Sequence, residues 1–287
     1  MANFPSFTIT IGVLALQGAF NEHIQLLRSA SQILATKSKT PSHQTHDLDI
    51  KYNFIEVRNE TELNSCDALI IPGGESTAIS LVAQRSGLLE PLRDFVKVHR
   101  RPTWGTCAGL ILLSESANRT KAGGQELIGG LDVRVNRNHF GRQVESFSAD
   151  LNLPFLSSLS PNSESSPPPS PQYLSEHPSW SNSSQAPNQH HVLLPHNHRT
   201  HHSQRNHTPN TPVEILATLP GRTSSILDST TKAELNVDAE TGDIVAVRQA
   251  NVFGTSFHPE LTGDARIHAW WLQGVIEGVV GRRGGKN

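Results

Sequence analysis

Trp104-Gly105-Thr106-Cys107-Ala108-Gly109-Leu110-Ile111-Leu112-Leu113 is the stretch on which the reading of this chain turns. A cysteine between two close glycines, running into an apolar segment with helical spacing, predicts a strand, a sharp turn and a helix, with the cysteine presented at the turn. It is the thiol counterpart of the Gly-x-Ser-x-Gly elbow that lifts a nucleophile above the edge of an α/β sheet. Gly105 and Gly109 would let strand and helix approach closely, and the amino end of the new helix would favour a thiolate at Cys107. Cys107 is therefore a candidate nucleophile. A free cysteine is also a small hydrophobe that is commonly buried and inert, and the glycine spacing alone leaves both readings open.

Upstream of the elbow the chain alternates between strand and helix patterns. Phe7 to Leu16 is β-branched and apolar, suited to a central strand buried on both faces. Gln17-Gly18 breaks it, and Ile24, Leu27, Ile33 and Leu34 then recur at helical spacing within residues 19–35. A polar loop over 37–49 leads to a second strand, Tyr52 to Val57. Ala68-Leu69-Ile70-Ile71 predicts a third, which enters Pro72-Gly73-Gly74-Glu75-Ser76-Thr77 and a helix over 78–84. Paired glycines in such a turn free backbone N–H groups to face an oxyanion or a carboxylate; an ordinary strand-to-helix connection capped by Ser76 or Thr77 is the other reading. A helix over 89–98 and a short strand over 102–104 complete the approach to Cys107. The glycine-rich and cysteine-bearing loops would then share the carboxyl edge of a parallel sheet, where open α/β sheets place their sites.

Downstream, Leu131 to Val135 has the pattern of a strand, and Arg137 and Arg142 follow in a polar segment, where each could hold an anionic group or be a solvated surface charge. Asp243 to Gln249 and Asn251 to Phe257 suggest a hairpin turning at Ala250-Asn251 and delivering His258-Pro259-Glu260. In extended chain, residues two apart project to one side, so His258 and Glu260 can face one cleft. Thiol, imidazole and carboxylate are the minimum set for nucleophilic acyl transfer, although each of the last two would, singly, pass for an ordinary surface or hydrogen-bonded side chain. A last helix is expected over 263–279, with Ile267, Trp270, Trp271, Val275 and Ile276 packing inward, and a loose tail over 281–287.

Composition narrows the class. The 287 residues carry 24 Lys and Arg against 26 Asp and Glu, so no charge excess points to nucleic acid or to a membrane surface. Cys66 and Cys107 are the two cysteines, too few for a disulfide framework, and a reducing cytoplasmic setting fits them. No leader-like segment or membrane span is expected. The fold class is α/β, a three-layer open sheet that is mostly parallel.

Five segments together carry a resemblance: Leu16-Gln17-Gly18, Pro72 to Thr77, Gly105-Thr106-Cys107-Ala108-Gly109, Arg137-Asn138-His139-Phe140-Gly141-Arg142-Gln143, and Ser256-Phe257-His258-Pro259-Glu260-Leu261-Thr262. In this order they resemble the glutaminase subunit of pyridoxal 5'-phosphate synthase, the PdxT/Sno family of class I glutamine amidotransferases, over residues 9–150 and 212–280. The cysteine and His-Pro-Glu pieces point to amidotransferases at large; the Arg-Asn-x-Phe-Gly-Arg-Gln block points to this branch. The resemblance implies a flavodoxin-like amidotransferase domain built from 8–150 and 212–281. It implies Cys107 as nucleophile toward the side-chain amide of L-glutamine, His258 as base and then acid, and Glu260 as its orienter. Gly74, Glu75, Ser76 and Arg137 would bind glutamine, and Gly74 and Ala108 would supply the oxyanion hole. Gln17 matches a position that arranges the oxyanion region when the partner binds. That partner would be a (β/α)8-barrel synthase subunit that takes up the ammonia; no cofactor is implied.

The chain departs from the family past Asp150. The Phe-Ile-Arg-Ala-Pro strand whose Ile-Arg pair helps hold glutamine does not occur here. Residues 157–211 are instead rich in Ser, Pro, Asn and His, with eight of the 15 histidines between His177 and His207. That composition predicts disorder, and without cysteines or regular spacing no metal site is expected in it. Either a long loop replaces a substrate-contacting strand, or the translated sequence includes an unspliced intron. Two further readings stand beside glutamine hydrolysis: a docking subunit without useful glutamine affinity, and a cysteine hydrolase of other specificity.

Overall fold

The computed structural model describes residues 6–37, 49–117, 125–137, 148–159, 170–173, 190–193, 211–219 and 243–284. The apolar opening run forms β1 (Ser6–Leu14), followed by α1 (Phe20–Lys37) and β2 (Asp49–Val57). Next come α2 (Glu60–Asn64), β3 (Ala68–Ile71), α3 (Ser76–Arg85) and α4 (Leu89–Arg93), the last widening into a π-turn over Asp94–Val98. The elbow joins β4 (Thr103–Thr106) to α5 (Ala108–Leu113). β5 (Ser114–Ala117), β6 (Leu131–Arg137) and β7 (Ser148–Leu151) follow, then a 3₁₀ turn over Pro154–Leu159. β8 (Ser170–Tyr173), β9 (His190–Leu193), β10 (Glu214–Leu219), β11 (Asp243–Gln249) and β12 (Val252–Thr255) lead to a 3₁₀ turn at Pro259–Leu261 and to α6 (Arg266–Gly284).

Seven strands form the central sheet in the order β10-β11-β12-β4-β3-β1-β2. β2, β1, β3, β4 and β12 are parallel, and β10 and β11 add antiparallel pairs at one edge. The parallel part therefore runs second, first, third, fourth and then the later β12, the flavodoxin-like order. The β11–β12 hairpin turns at Ala250, whose φ of 51° is the left-handed conformation a two-residue turn needs.

Alternation along the strands divides the core into two faces. Ile9, Ile11, Val13, Ala68, Ile70 and Trp104 pack with α1 and α6, whereas Leu14, Leu69 and Ile71 pack with α2 to α5. Side chains on both faces are fully buried, each worth about 1.5–3 kcal/mol of transfer free energy, and the result is the three-layer α/β arrangement expected from the sequence.

Two features differ from the sequence reading. α6 does not stop at 279–281 but continues to Gly284, because Arg283 anchors its end: Nη2 lies 2.5 Å from Asp67 Oδ1 and Nη1 donates to the Thr8 carbonyl at 3.3 Å. The segment 157–211 is not wholly without regular structure. Its first residues belong to the 3₁₀ turn, where Leu156 and Leu159 are buried against the α6 face, and β8 and β9 pair antiparallel with β7 and β6. Backbone pairing on open strand edges does not depend on the polar composition that suggested disorder. Apart from Thr211, the rest of that segment lies outside the described residues.

Candidate active site

All four loops that build the site leave the carboxyl ends of parallel strands: β1, β3, β4 and β12. β4 lies between β3 and β12, so its loop is central. Cys107 sits there with φ 47° and ψ −102°, a strained turn for a non-glycine residue that costs on the order of 1–3 kcal/mol. The surroundings hold it. The Cys107 N–H donates to the Thr255 carbonyl at 2.8 Å on β12, and the Cys107 carbonyl accepts from Ile111 N–H at 3.2 Å in α5. Close approach explains the flanking glycines: a Cβ on Gly109 would stand 2.0 Å from the Ile71 carbonyl oxygen, and one on Gly105 would stand 2.5 Å from the Gly109 carbonyl carbon. The elbow expected from the glycine spacing is thus the elbow observed.

β12 delivers His258 and Glu260 to the same place. His258 Nδ1 lies 2.8 Å from Glu260 Oε1, which leaves Nε2 for the Cys107 thiol, with which the ring shares a hydrogen bond. Burial alone would push the His258 imidazole down; the Cys107 thiolate and the Glu260 carboxylate outweigh it and hold the imidazolium well above the usual histidine range. Burial would likewise raise Glu260, but His23 and His258 outweigh it and keep the carboxylate ionised. Because α5 has only six residues, its dipole is short, and the imidazolium is the charge that faces the sulfur. Gly73 forms one wall: a Cβ there would lie 2.4 Å from His258 Cε1. The His258 ring thus has the Glu260 carboxylate on one side and the Cys107 side chain as its other polar neighbour, residue types able in principle to make and break an acyl thioester.

Two histidines that sequence reasoning passed over lie behind this line. His23 on α1 and His268 on α6 are fully buried, His23 Nδ1 standing 2.9 Å from His268 Nε2. His23 Nε2 reaches Thr106 Oγ1 at 3.3 Å and Glu260 Oε2 at 3.5 Å. Both rings pack on the indole of Trp104, with centroids at 5.7 and 4.8 Å. A signal was present: His23 falls in register with Leu27 and Ala30, and His268 with Leu272 and Val275, on the core-facing stripes of their helices.

The glycine-rich loop departs in detail from the capping read in the sequence. α3 is capped by Glu75, whose carboxylate accepts from Thr77 N–H at 3.0 Å and Ala78 N–H at 2.6 Å, not by Ser76 or Thr77. Ser76 is buried and donates to Gln125 Oε1 at 3.0 Å, a residue that sequence reasoning did not single out. Gln17 from the first loop accepts the Glu75 backbone N–H at 2.8 Å and packs on Gly74, whose φ is 152°. Ala108 opens α5 immediately beyond Cys107. Arg137 ends β6, where its backbone pairs with His190; its side chain and Arg142 lie outside the described residues. Among the described residues, no group of three or more His, Cys, Asp or Glu side chains is placed to hold a metal ion, and no helix is long and apolar enough to cross a membrane.

The buried histidines give the fold a defined response to acid. Burial lowers His23, against the attraction of Glu260, and burial followed by His23 puts His268 well below the usual value of 6.5. Folded, these two rings bind fewer protons than they do unfolded, so their contribution to stability is complete above 6.5 and declines as the pH falls below it. His258, shifted the other way, adds no slope below 6.5. We expect melting temperature to fall between about pH 6.5 and 5, and His268→Leu to flatten that decline even if its overall stability is lower. An unchanged slope in the variant would refute the assignment.

A glutamine amidotransferase of known crystal structure superposes on this chain with a TM-score of 0.56 at 29% identity, covering 92% of this chain and 98% of that one. Fold, elbow and His-Glu pair thus describe the class that the sequence resembled, an α/β amidotransferase. The chain belongs to the SNO glutamine amidotransferase family, whose model matches residues 13–162 and 220–277. Among curated relatives, the probable pyridoxal 5'-phosphate synthase subunit PDX2 of Arabidopsis thaliana is 36% identical over 92% of this chain and 85% of its own length. The pyridoxal 5'-phosphate synthase subunits PdxT of Listeria welshimeri and Thermococcus onnurineus are 33% and 32% identical, each over 93% of this chain and over 98% and 100% of their own lengths.

Proposed function

We propose that this chain is the glutaminase subunit of a pyridoxal 5'-phosphate synthase, hydrolysing L-glutamine at Cys107 and passing the ammonia to a separate synthase subunit, a (β/α)8 barrel, in the cytoplasm. The observation that carries the reading is the position of His258, bonded to Glu260 on one side and to the Cys107 thiol on the other. His258 takes the thiol proton. The thiolate attacks the δ-carbonyl of glutamine, and backbone N–H groups of Gly74 and Ala108 receive the oxyanion. His258 then gives its proton to the departing nitrogen, the C–N bond breaks, and ammonia leaves a γ-glutamyl thioester. Water, deprotonated by His258, attacks the thioester; glutamate departs and the thiolate is restored. Gly74, Glu75, Ser76 and Arg137 hold the glutamine, and Gln17, bound to the Glu75 N–H, couples the glycine loop to the first loop of the sheet. The domain that does this is built from residues 8–150 and 212–281, with the intervening segment as an insertion.

Ammonia and glutamate release, measured with and without a synthase subunit, tests this reading. Glutamine turnover that rises on adding the subunit is expected. Binding to the subunit without turnover would point instead to a docking protein, the outcome favoured by the missing Ile-Arg contact, and turnover of other amides or esters to a different hydrolase.

A further inference from the structure

Glu260 has two carboxylate oxygens, and His258 engages only Oε1. Oε2 is buried, without a hydrogen bond of ordinary length, and His23 Nε2 stands 3.5 Å from it. The tautomers around it follow from donor accounting. If His23 carried its proton on Nδ1, a bare Nε2 lone pair would face the carboxylate, and His268, accepting at Nε2, would bury an unpaired Nδ1–H. If His23 carries it on Nε2, that N–H points at the carboxylate and the Thr106 hydroxyl, and His268 Nε2–H donates to His23 Nδ1 at 2.9 Å. The atom then left over is His268 Nδ1, a lone pair rather than a donor, and it is buried without a partner. The second arrangement satisfies every N–H and places a donor toward the charge.

We infer that His23 is a positioning residue for the glutaminase relay: from the wall behind Glu260, its Nε2–H steadies Oε2 and fixes the carboxylate plane in which Oε1 meets His258. The inference rests on the glutaminase reading above. His23 touches both arms of the relay, since Thr106, its other Nε2 partner, is the residue before Cys107 at the end of β4. His268 holds the ring from behind, and Trp104, hydrogen-bonded through Nε1 to Thr255 Oγ1 at 3.2 Å, closes the pocket between β4 and β12. The titratable groups facing His23 are Glu260, His258, His268 and its neighbour Glu22.

His23→Leu removes the donor, His23→Gln keeps an N–H at the Nε2 position, and His23→Asn keeps one only near Nδ1. Two readouts separate positioning from packing: steady-state glutamine hydrolysis with the synthase subunit present, and the pH profile of Cys107 alkylation by iodoacetamide, followed on the Cys107 peptide by mass spectrometry. We expect His23→Leu to lower kcat roughly tenfold with KM within about twofold, the loss of one N–H directed at the carboxylate charge, and to move the alkylation profile to higher pH. His23→Gln should recover most of both. If the leucine variant does not fold, the glutamine variant should still exceed the asparagine variant on both readouts. Wild-type kcat and alkylation in His23→Leu, or equal impairment of the glutamine and asparagine variants, would overturn the inference. A wild-type chain that releases no ammonia from glutamine would refute the functional reading instead, while the alkylation comparison would still decide the role of His23.

Discussion

Cys107→Ala is expected to abolish ammonia release, lowering kcat by roughly 10⁴-fold or more, as removal of a nucleophile from a cooperating triad does. The reason is chemical, because nothing else in the site can form the thioester: Cys66, the other cysteine, is buried behind β3 with its thiol pushed up to about 12 by burial. The structural effect should be small. Alanine keeps the Cβ, and the backbone bonds that hold the elbow, from residue 107 to Thr255 and from Ile111 to residue 107, do not involve the sulfur. The variant should therefore fold within about 1 kcal/mol of wild type and still bind glutamine in a calorimeter. It should also report on the electrostatics. The thiolate is the foremost support that raises His258, so its loss should lower the imidazole titration seen by NMR. Residual turnover near the wild-type rate would remove Cys107 from the mechanism.

Gly109→Ala should be a severely damaging single-methyl change to the core of the fold. Its Cβ would stand 2.0 Å from the Ile71 carbonyl and 2.9 Å from the Ile71 carbonyl carbon, both backbone atoms of a central strand that cannot swing aside. α5 must then lift from β3, opening the cluster of Leu110, Ile111, Leu112 and Leu113 packed beneath it. A destabilisation of roughly 3 kcal/mol or more is expected from overpacking against backbone, read as a fall in the denaturant midpoint. Gly274→Ala on α6, where an added Cβ meets nothing within 4 Å, serves as the control that should leave the midpoint unchanged or slightly raised. Equal midpoints for the two variants would mean that the helix and strand are not in the contact described.

These two predictions draw on the part of the molecule that was most legible in the sequence. The elbow, the glycine loop and His258-Pro259-Glu260 are local motifs whose residue types announce their chemistry, and the strand pattern placed all three at one sheet edge. What was not legible depends on long-range packing. His23 and His268 are 245 residues apart and occupy apolar stripes, so each, read singly, is an ordinary core histidine; only the converging helices make them a pair behind Glu260. Hydroxyls are common caps, which makes Ser76 or Thr77 one reading for the start of α3, yet Glu75 fills the role and Ser76 turns to Gln125, a partner 49 residues away. α6 outran its expected end because Arg283 finds Asp67, a contact no local glycine count can foresee. β8 and β9 arise from backbone pairing with β7 and β6, which composition does not encode.

The central claim is that Cys107 becomes acylated by glutamine, and acid quenching during turnover tests it most directly. The full chain, with a synthase subunit, is mixed with isotopically labelled L-glutamine, quenched in acid within the first turnover and digested for peptide mass spectrometry. The account predicts a labelled γ-glutamyl group on the Cys107 peptide that disappears in Cys107→Ala. Ammonia release at the full rate with that peptide unmodified in a first-turnover time course, or the label carried by Cys66, would contradict it.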